Sequence, residues 1–133
     1  MENSIEHLLF ELSKNLNFHV EQESSSYRIQ IQKNNGWIIE VIIPKGDILQ
    51  WLYYIRESAT GMNLFSDRLE YYGSSPIELR SEMLTDLKAF FNIMLTSNLR
   101  IVEKHVFRIF RFKFGAVKEL EFESADGWKR ITL

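Results

Sequence analysis

The sequence predicts an α+β fold: a mainly antiparallel sheet of about six to eight strands with two helices packed on one face. Three observations carry that reading. Apolar residues recur at helical spacing in two segments, near 4–16 and near 76–96. The segments between and after them alternate apolar and polar residues, or are apolar on both faces, as strands are. The order is helix, strands, helix, strands, with no βαβ alternation, so neighbouring strands are expected to pair antiparallel.

The first helix rests on Ile5, Leu8, Leu9, Leu12 and Leu16, which form one apolar stripe, with Asn3 or Ser4 to cap its start. From Asn17 the period changes to two. Phe18 and Val20 alternate with polar neighbours, and Tyr27, Ile29 and Ile31 alternate with Arg28, Gln30 and Gln32. Ser24-Ser25-Ser26 reads as the hairpin loop between them. Asn34-Asn35-Gly36 is a second hairpin turn, because Asn and Gly tolerate positive φ. Trp37 to Ile43 is apolar on both faces, as a central strand is. Ile48 to Glu57 fits two periods. Ile48, Trp51, Leu52 and Ile55 lie on a helical stripe behind Asp47, whereas Leu49, Trp51, Tyr53 and Ile55 lie on one strand face; the aromatic content favours the strand. Thr60-Gly61 marks a turn, and Leu64 to Tyr72 is a further strand or irregular loop closed by Gly73.

Ser75-Pro76-Ile77-Glu78 is a capping box with proline at the first helical position. Met83, Leu84, Leu87, Phe90, Phe91, Met94 and Leu95 continue from it as one apolar stripe, and Asn98 is placed to end the helix in a left-handed conformation. The stripe should pack on Ile39, Val41 or the Phe-rich strands. Leu99 to Lys104, Val106 to Phe114 and Leu120 to Glu123 have strand composition, and Asp126-Gly127 reads as the turn into a last strand, Trp128 to Leu133. Phe107 and Ile109 stand in one phase and Phe110, Phe112 and Phe114 in the other, which predicts a bulge or a strand open to packing on both faces.

Composition narrows the function classes. At 133 residues, with 45% hydrophobic and 26% charged residues, the chain suits a single domain over 1–133 that needs no covalent staple. It contains no cysteine, so thiolate zinc sites, disulfides and cysteine nucleophiles are excluded. The start, Met1-Glu2-Asn3-Ser4-Ile5-Glu6, has neither the basic nor the apolar region of a signal peptide, and a cytoplasmic location is expected. No apolar run is long enough to span a bilayer, so no membrane partner is expected. The net charge of −2 argues against nucleic acid as the main partner.

Chemistry-bearing motifs are sparse. His7, His19 and His105 form no metal-binding or catalytic spacing, and the glycines build no phosphate-cradling loop. No catalytic residue, metal or cofactor is expected, and the chain does not read as an enzyme. Glu119, Glu121 and Glu123 alternate along one strand face, and cross-strand pairing with Arg108, Arg111 or Lys113 accounts for them better than a metal site. Six basic residues stand between Arg100 and Lys118 beside one acid, Glu103. Interleaved with phenylalanine they invite an RNA reading, but ordinary one-sided strands have the same alternation. The segment Trp51 to Tyr72 is richer. Trp51, Tyr53, Tyr54, Asp67, Glu70, Tyr71 and Tyr72 combine aromatic contact area with carboxylates, a composition suited to a basic protein partner.

The stretch from Gly36 to Gly73, with its Trp-led strand, "WLYYIRES" and "SDRLEYYG", then the capped helix and the tail "DGWKRI", resembles small immunity proteins of bacterial polymorphic-toxin and contact-dependent inhibition systems. The resemblance implies a non-enzymatic cytoplasmic protein that binds one toxin domain, often a basic one, and neutralises it. It rests on pattern and size and carries over no individual residue. The alternatives are another protein-interaction factor of phage or plasmid type, an RNA-binding protein and an enzyme without a linear motif.

Overall fold

Helix α1 (Ser4–Leu12) leads into β1 (Phe18–Gln22), β2 (Ser26–Gln32), β3 (Trp37–Pro44), β4 (Gln50–Glu57) and β5 (Asn63–Glu70). Helix α2 (Pro76–Thr96) follows, then β6 (Leu99–His105), β7 (Arg108–Ile109), β8 (Phe112–Lys113), β9 (Ala116–Ser124) and β10 (Gly127–Arg130). The structure, a computed structural model, describes residues 4–46, 49–105, 108–109, 112–113 and 116–132. Asn3, Asp47, Ile48, Val106, Phe107, Phe110, Arg111, Phe114 and Leu133, which entered the sequence reading, lie outside the described residues.

The first five strands form an antiparallel meander in chain order, β1-β2-β3-β4-β5. Strand parity then decides which side chains go inward. Ile29 and Ile31 of β2, Ile39, Val41 and Ile43 of β3, and Trp51, Tyr53 and Ile55 of β4 are paired across the strands and buried on the helix side. Onto that side α2 lays Met83, Leu87, Phe90, Phe91 and Met94, all buried. Phe91 meets Phe18 edge-on, with ring centroids 5.1 Å apart, and Phe90 packs between Trp51 (4.9 Å) and Tyr53 (4.6 Å). Helix α1 adds Leu9 to the same core. The fold class and the packing of both helices on one sheet face agree with the sequence reading.

Both ends of α2 have side-chain partners. Ser75 caps the start, its hydroxyl accepting from the Glu78 N–H at 3.4 Å. The end differs from expectation. Ser97 is extended (φ −113°), and its N–H returns to the Ile93 carbonyl, so Asn98 supplies no left-handed cap. Instead Lys33, in the β2–β3 loop, reaches across and donates from Nζ to the Met94 and Ser97 carbonyls. A cation there also meets the negative end of the helix dipole. Burial pulls the Lys33 ammonium below its ordinary pKa.

Three elements depart from the sequence reading. The first helix stops at Leu12, and Leu16 is 90% exposed. Asn15 is the cause: its side chain accepts the Asn17 N–H at 2.9 Å and its carbonyl accepts the Phe18 N–H, so an asparagine turn outcompetes another helical turn. The Phe-rich segment, expected as one strand, holds two short strands that pair antiparallel, Arg108 with Lys113 and Ile109 with Phe112. The last sheet, β10-β9-β6, is antiparallel, with β9 longer than its apolar pattern indicated.

Candidate functional site

Beyond β5 the chain must cross from the sheet to the start of α2, and it does so through Glu70, Tyr71, Tyr72 and Gly73. The crossing lies close against the helix. A Cβ at Gly73 would stand 3.2 Å from the Leu79 side chain, so glycine suits this position. Tyr71 turns inward, and its ring spans the gap between sheet and helix. The Trp51 indole N–H donates to the Tyr71 hydroxyl at 2.9 Å, and that hydroxyl donates to Asp86 of α2 at 2.7 Å. Burial first, and then the Asp86 carboxylate, push the Tyr71 phenol well above its ordinary pKa, although the bond from Trp51 opposes them. The hydroxyl therefore stays protonated and the chain of donors keeps one direction.

Two depressions flank this crossing. One, of about 340 Å³, is lined by Leu49, Gln50, Glu70, Tyr71, Tyr72, Gly73, Pro76 and Leu79. The other, of about 470 Å³, is bounded by Arg68, Leu69, Glu70, Tyr71 and Tyr72 on the β5 side and by Glu82 and Asp86 on α2. Tyr72 stands between them, 81% exposed, and its hydroxyl donates to Glu70. That bond raises the Tyr72 phenol pKa. The result is an aromatic floor and ridge beneath three carboxylates, Glu70, Glu82 and Asp86, with Arg68 as the lining cation.

The seven residues singled out from the sequence divide four ways. Glu70, Tyr71 and Tyr72 come together at the crossing. Asp67 is exposed on β5, opposite Tyr53 in register; burial first, and then the Asp67 charge, push the Tyr53 phenol above its ordinary pKa. Tyr54 is half-buried on the other face of the sheet, opposite Ser66 and Glu40. Trp51 and Tyr53 are corrected: they are buried in the core and offer no surface. The reason is parity, since odd positions of β4 point at α2. Trp51 still serves the cleft from beneath, through its bond to Tyr71.

Glu82 and Asp86 were missed. The signal was available, because both flank the apolar stripe of α2 and stand four residues apart. What the sequence could not display is that β5 ends beside them.

The basic run does not form an open cationic face where its side chains are described. Arg100 pairs with Glu121 at 2.7 Å and Lys104 with Glu119 at 2.9 Å. Arg130 approaches Glu119 at 3.6 Å. Cross-strand pairing was the expected use of these glutamates, but the partners come from β6 and β10. Glu123 accepts from Asn98. Lys104 and then Arg130 hold Glu119 below the ordinary carboxylate pKa. His7 and His19 are exposed, His19 on the sheet edge opposite β5. Among the described residues, no cluster of three acids or histidines is placed to hold a metal, and no helix is long and apolar enough to cross a membrane.

No protein-family model, curated protein or solved structure matches this chain.

Proposed function

We propose that this chain is a non-enzymatic protein-binding domain, and most specifically an immunity protein that binds and neutralises a basic bacterial toxin domain in the cytoplasm. One observation supports the reading above the others: the cleft at the β5–α2 crossing sets an exposed tyrosine on a hydrogen-bonded aromatic base among Glu70, Glu82 and Asp86. Tyrosine brings large contact area at low entropic cost, and carboxylates around it steer a basic partner. The rigid support beneath Tyr71 reduces what must be ordered on binding. The aromatics then govern dissociation and the acids govern association.

The test starts from the gene immediately upstream: if it encodes a large secreted protein with a variable C-terminal domain, that domain is co-expressed with this chain. Growth rescue by the wild-type chain and co-purification of the two proteins support the reading. Rescue should weaken with Tyr72→Ala combined with Glu70→Lys, while the variant keeps its fold by circular dichroism. A chain that neither rescues nor binds any such domain overturns it.

A further inference from the structure

We infer that the partner engages the cleft through an extended, basic segment that adds to β5 as a sixth strand; this rests on the protein-binding reading above. Among the described residues, β5 closes one side of the five-stranded sheet, with β4 as its neighbour in the strand order. The direction of its backbone groups follows from one bond. The Tyr71 N–H donates to the Leu49 carbonyl at 3.0 Å, one step beyond the Gln50–Glu70 pair. In an antiparallel ladder, bonded pairs alternate with non-bonded ones. The backbone groups of Leu69 and Asp67 therefore face β4, and those of Arg68 and Glu70 face outward, into the larger depression.

Across that depression stand Glu82 and Asp86 of α2. Asp67 lies on the same side of the sheet, since it is opposite the inward Tyr53. Residues four apart on a helix are separated by about 6 Å along its axis. Alternate residues of a strand are separated by about 6.6 Å. A strand laid along β5 with Lys or Arg at every second position therefore carries its cations at a spacing that matches Asp86 and Glu82. Tyr71 is the floor beneath it, held by Asp86 through one oxygen.

The free edge is guarded. The outward amide of Arg68 donates to the neighbouring Asp67 carboxylate at 2.8 Å. Capping an edge amide with a side chain protects it from indiscriminate pairing. A basic side chain arriving beside Asp67 supplies that carboxylate with a cation and frees the amide for the incoming strand. Recognition by main-chain pairing, with specificity from alternate side chains, is an established way for sheet edges to bind peptides.

The probe is a fluorescein-labelled ten-residue peptide alternating Lys and Val, with two versions N-methylated on odd or on even residues. Binding is read by anisotropy and backbone engagement by amide hydrogen exchange. The proposal expects binding that one N-methylated version loses by roughly tenfold or more, with slowed exchange at Arg68 and Glu70. Glu82→Lys should weaken the unmethylated peptide by roughly tenfold. If both methylated versions bind as well as the parent while Glu82→Lys still weakens them, strand addition is overturned and the acidic binding surface stands. If Glu82→Lys has no effect either, the cleft falls as a binding site altogether. No binding at about 1 mM peptide also overturns strand addition, and growth rescue by the whole chain then judges the wider reading separately.

Discussion

The two sheets of this domain are held by different forces. The five-stranded sheet turns an apolar core to its helices: Ile29, Ile31, Ile39, Val41, Trp51 and Ile55 against Leu87, Phe90, Phe91 and Met94, each at most 1% exposed. Among the described residues, the three-stranded sheet buries Leu99 and Leu120 as its apolar core, with Ile101, Phe122 and Ile131 packed around them. On its other face Arg100, Glu121, Lys104, Glu119 and Arg130 form a chain of ion pairs, and Arg100 lies over the Trp128 ring at 4.4 Å. Glu121 is buried although charged. Apolar burial is indifferent to which neighbour supplies it, whereas a buried carboxylate depends on particular cations. The first sheet should therefore tolerate salt and conservative repacking, and the second should tolerate neither as well.

The sharpest way to break this contrast is Phe91→Ala. It opens a cavity between Phe18 and Phe90 and should cost on the order of 3–5 kcal/mol in urea unfolding, unchanged by added salt. A loss under about 1 kcal/mol would show that the helix stripe is not what holds the larger sheet. Arg100→Ala comes next. It leaves Glu121 with Lys104 at 3.9 Å and strips the cation from Trp128. Because Arg100 is itself 45% exposed on its side chain, the expected cost is about 1–2 kcal/mol, shrinking in about 1 M NaCl. Equal costs in low and high salt would erase the distinction between the sheets.

Lys33→Met probes a charge inside the apolar half. Removing it leaves the Met94 and Ser97 carbonyls without their donor and should cost about 1 kcal/mol, seen as a lower melting temperature. A variant as stable as the wild type would mean that water replaces the ammonium without loss. The smallest effect belongs to Tyr27, whose hydroxyl donates to Glu6 at 2.6 Å and ties α1 to β2. Burial, then the hydrogen bond to Glu6, raise its pKa to about 12. A raised folded pKa contributes stability that is complete below the ordinary value of 10.0 and is lost as pH rises through about 12. The stability gap between wild type and Tyr27→Phe should be constant up to pH 10 and narrow above it. A gap that stays level through that window would detach the proton from the contact.

Much of the larger sheet was legible because local chemistry and packing agree there. Asn35-Gly36 turns where it should, with Gly36 at φ +87°, and the α2 stripe reads directly as the buried face. The end of α1 was not legible, since Leu16 continues the apolar period while the Asn15 side chain ends the helix by accepting the Asn17 N–H, a bond that periodicity does not register. Nor was the pairing of β7 with β8, because the composition there reads as one continuous strand. The cleft was half legible. Composition marked the aromatic and acidic segment, but alternation of Trp51 and Tyr53 was itself the sign of an inward strand face. Glu82 and Asp86 join Glu70 only through the crossing, which is a fact of tertiary geometry.

The meander has a kinetic consequence. Each strand from β1 to β5 pairs with its neighbour in sequence through loops at 23–25, 33–36, 45–49 and 58–62. Closing such loops costs little chain entropy, so the larger sheet can zip hairpin by hairpin without a long search. The Lys33 clamp on α2, by contrast, joins positions 61 and 64 residues apart in the chain. Docking of α2 onto the zipped meander is then the late, rate-setting event, and the cleft, whose walls are β5 and α2, comes into being only with that step.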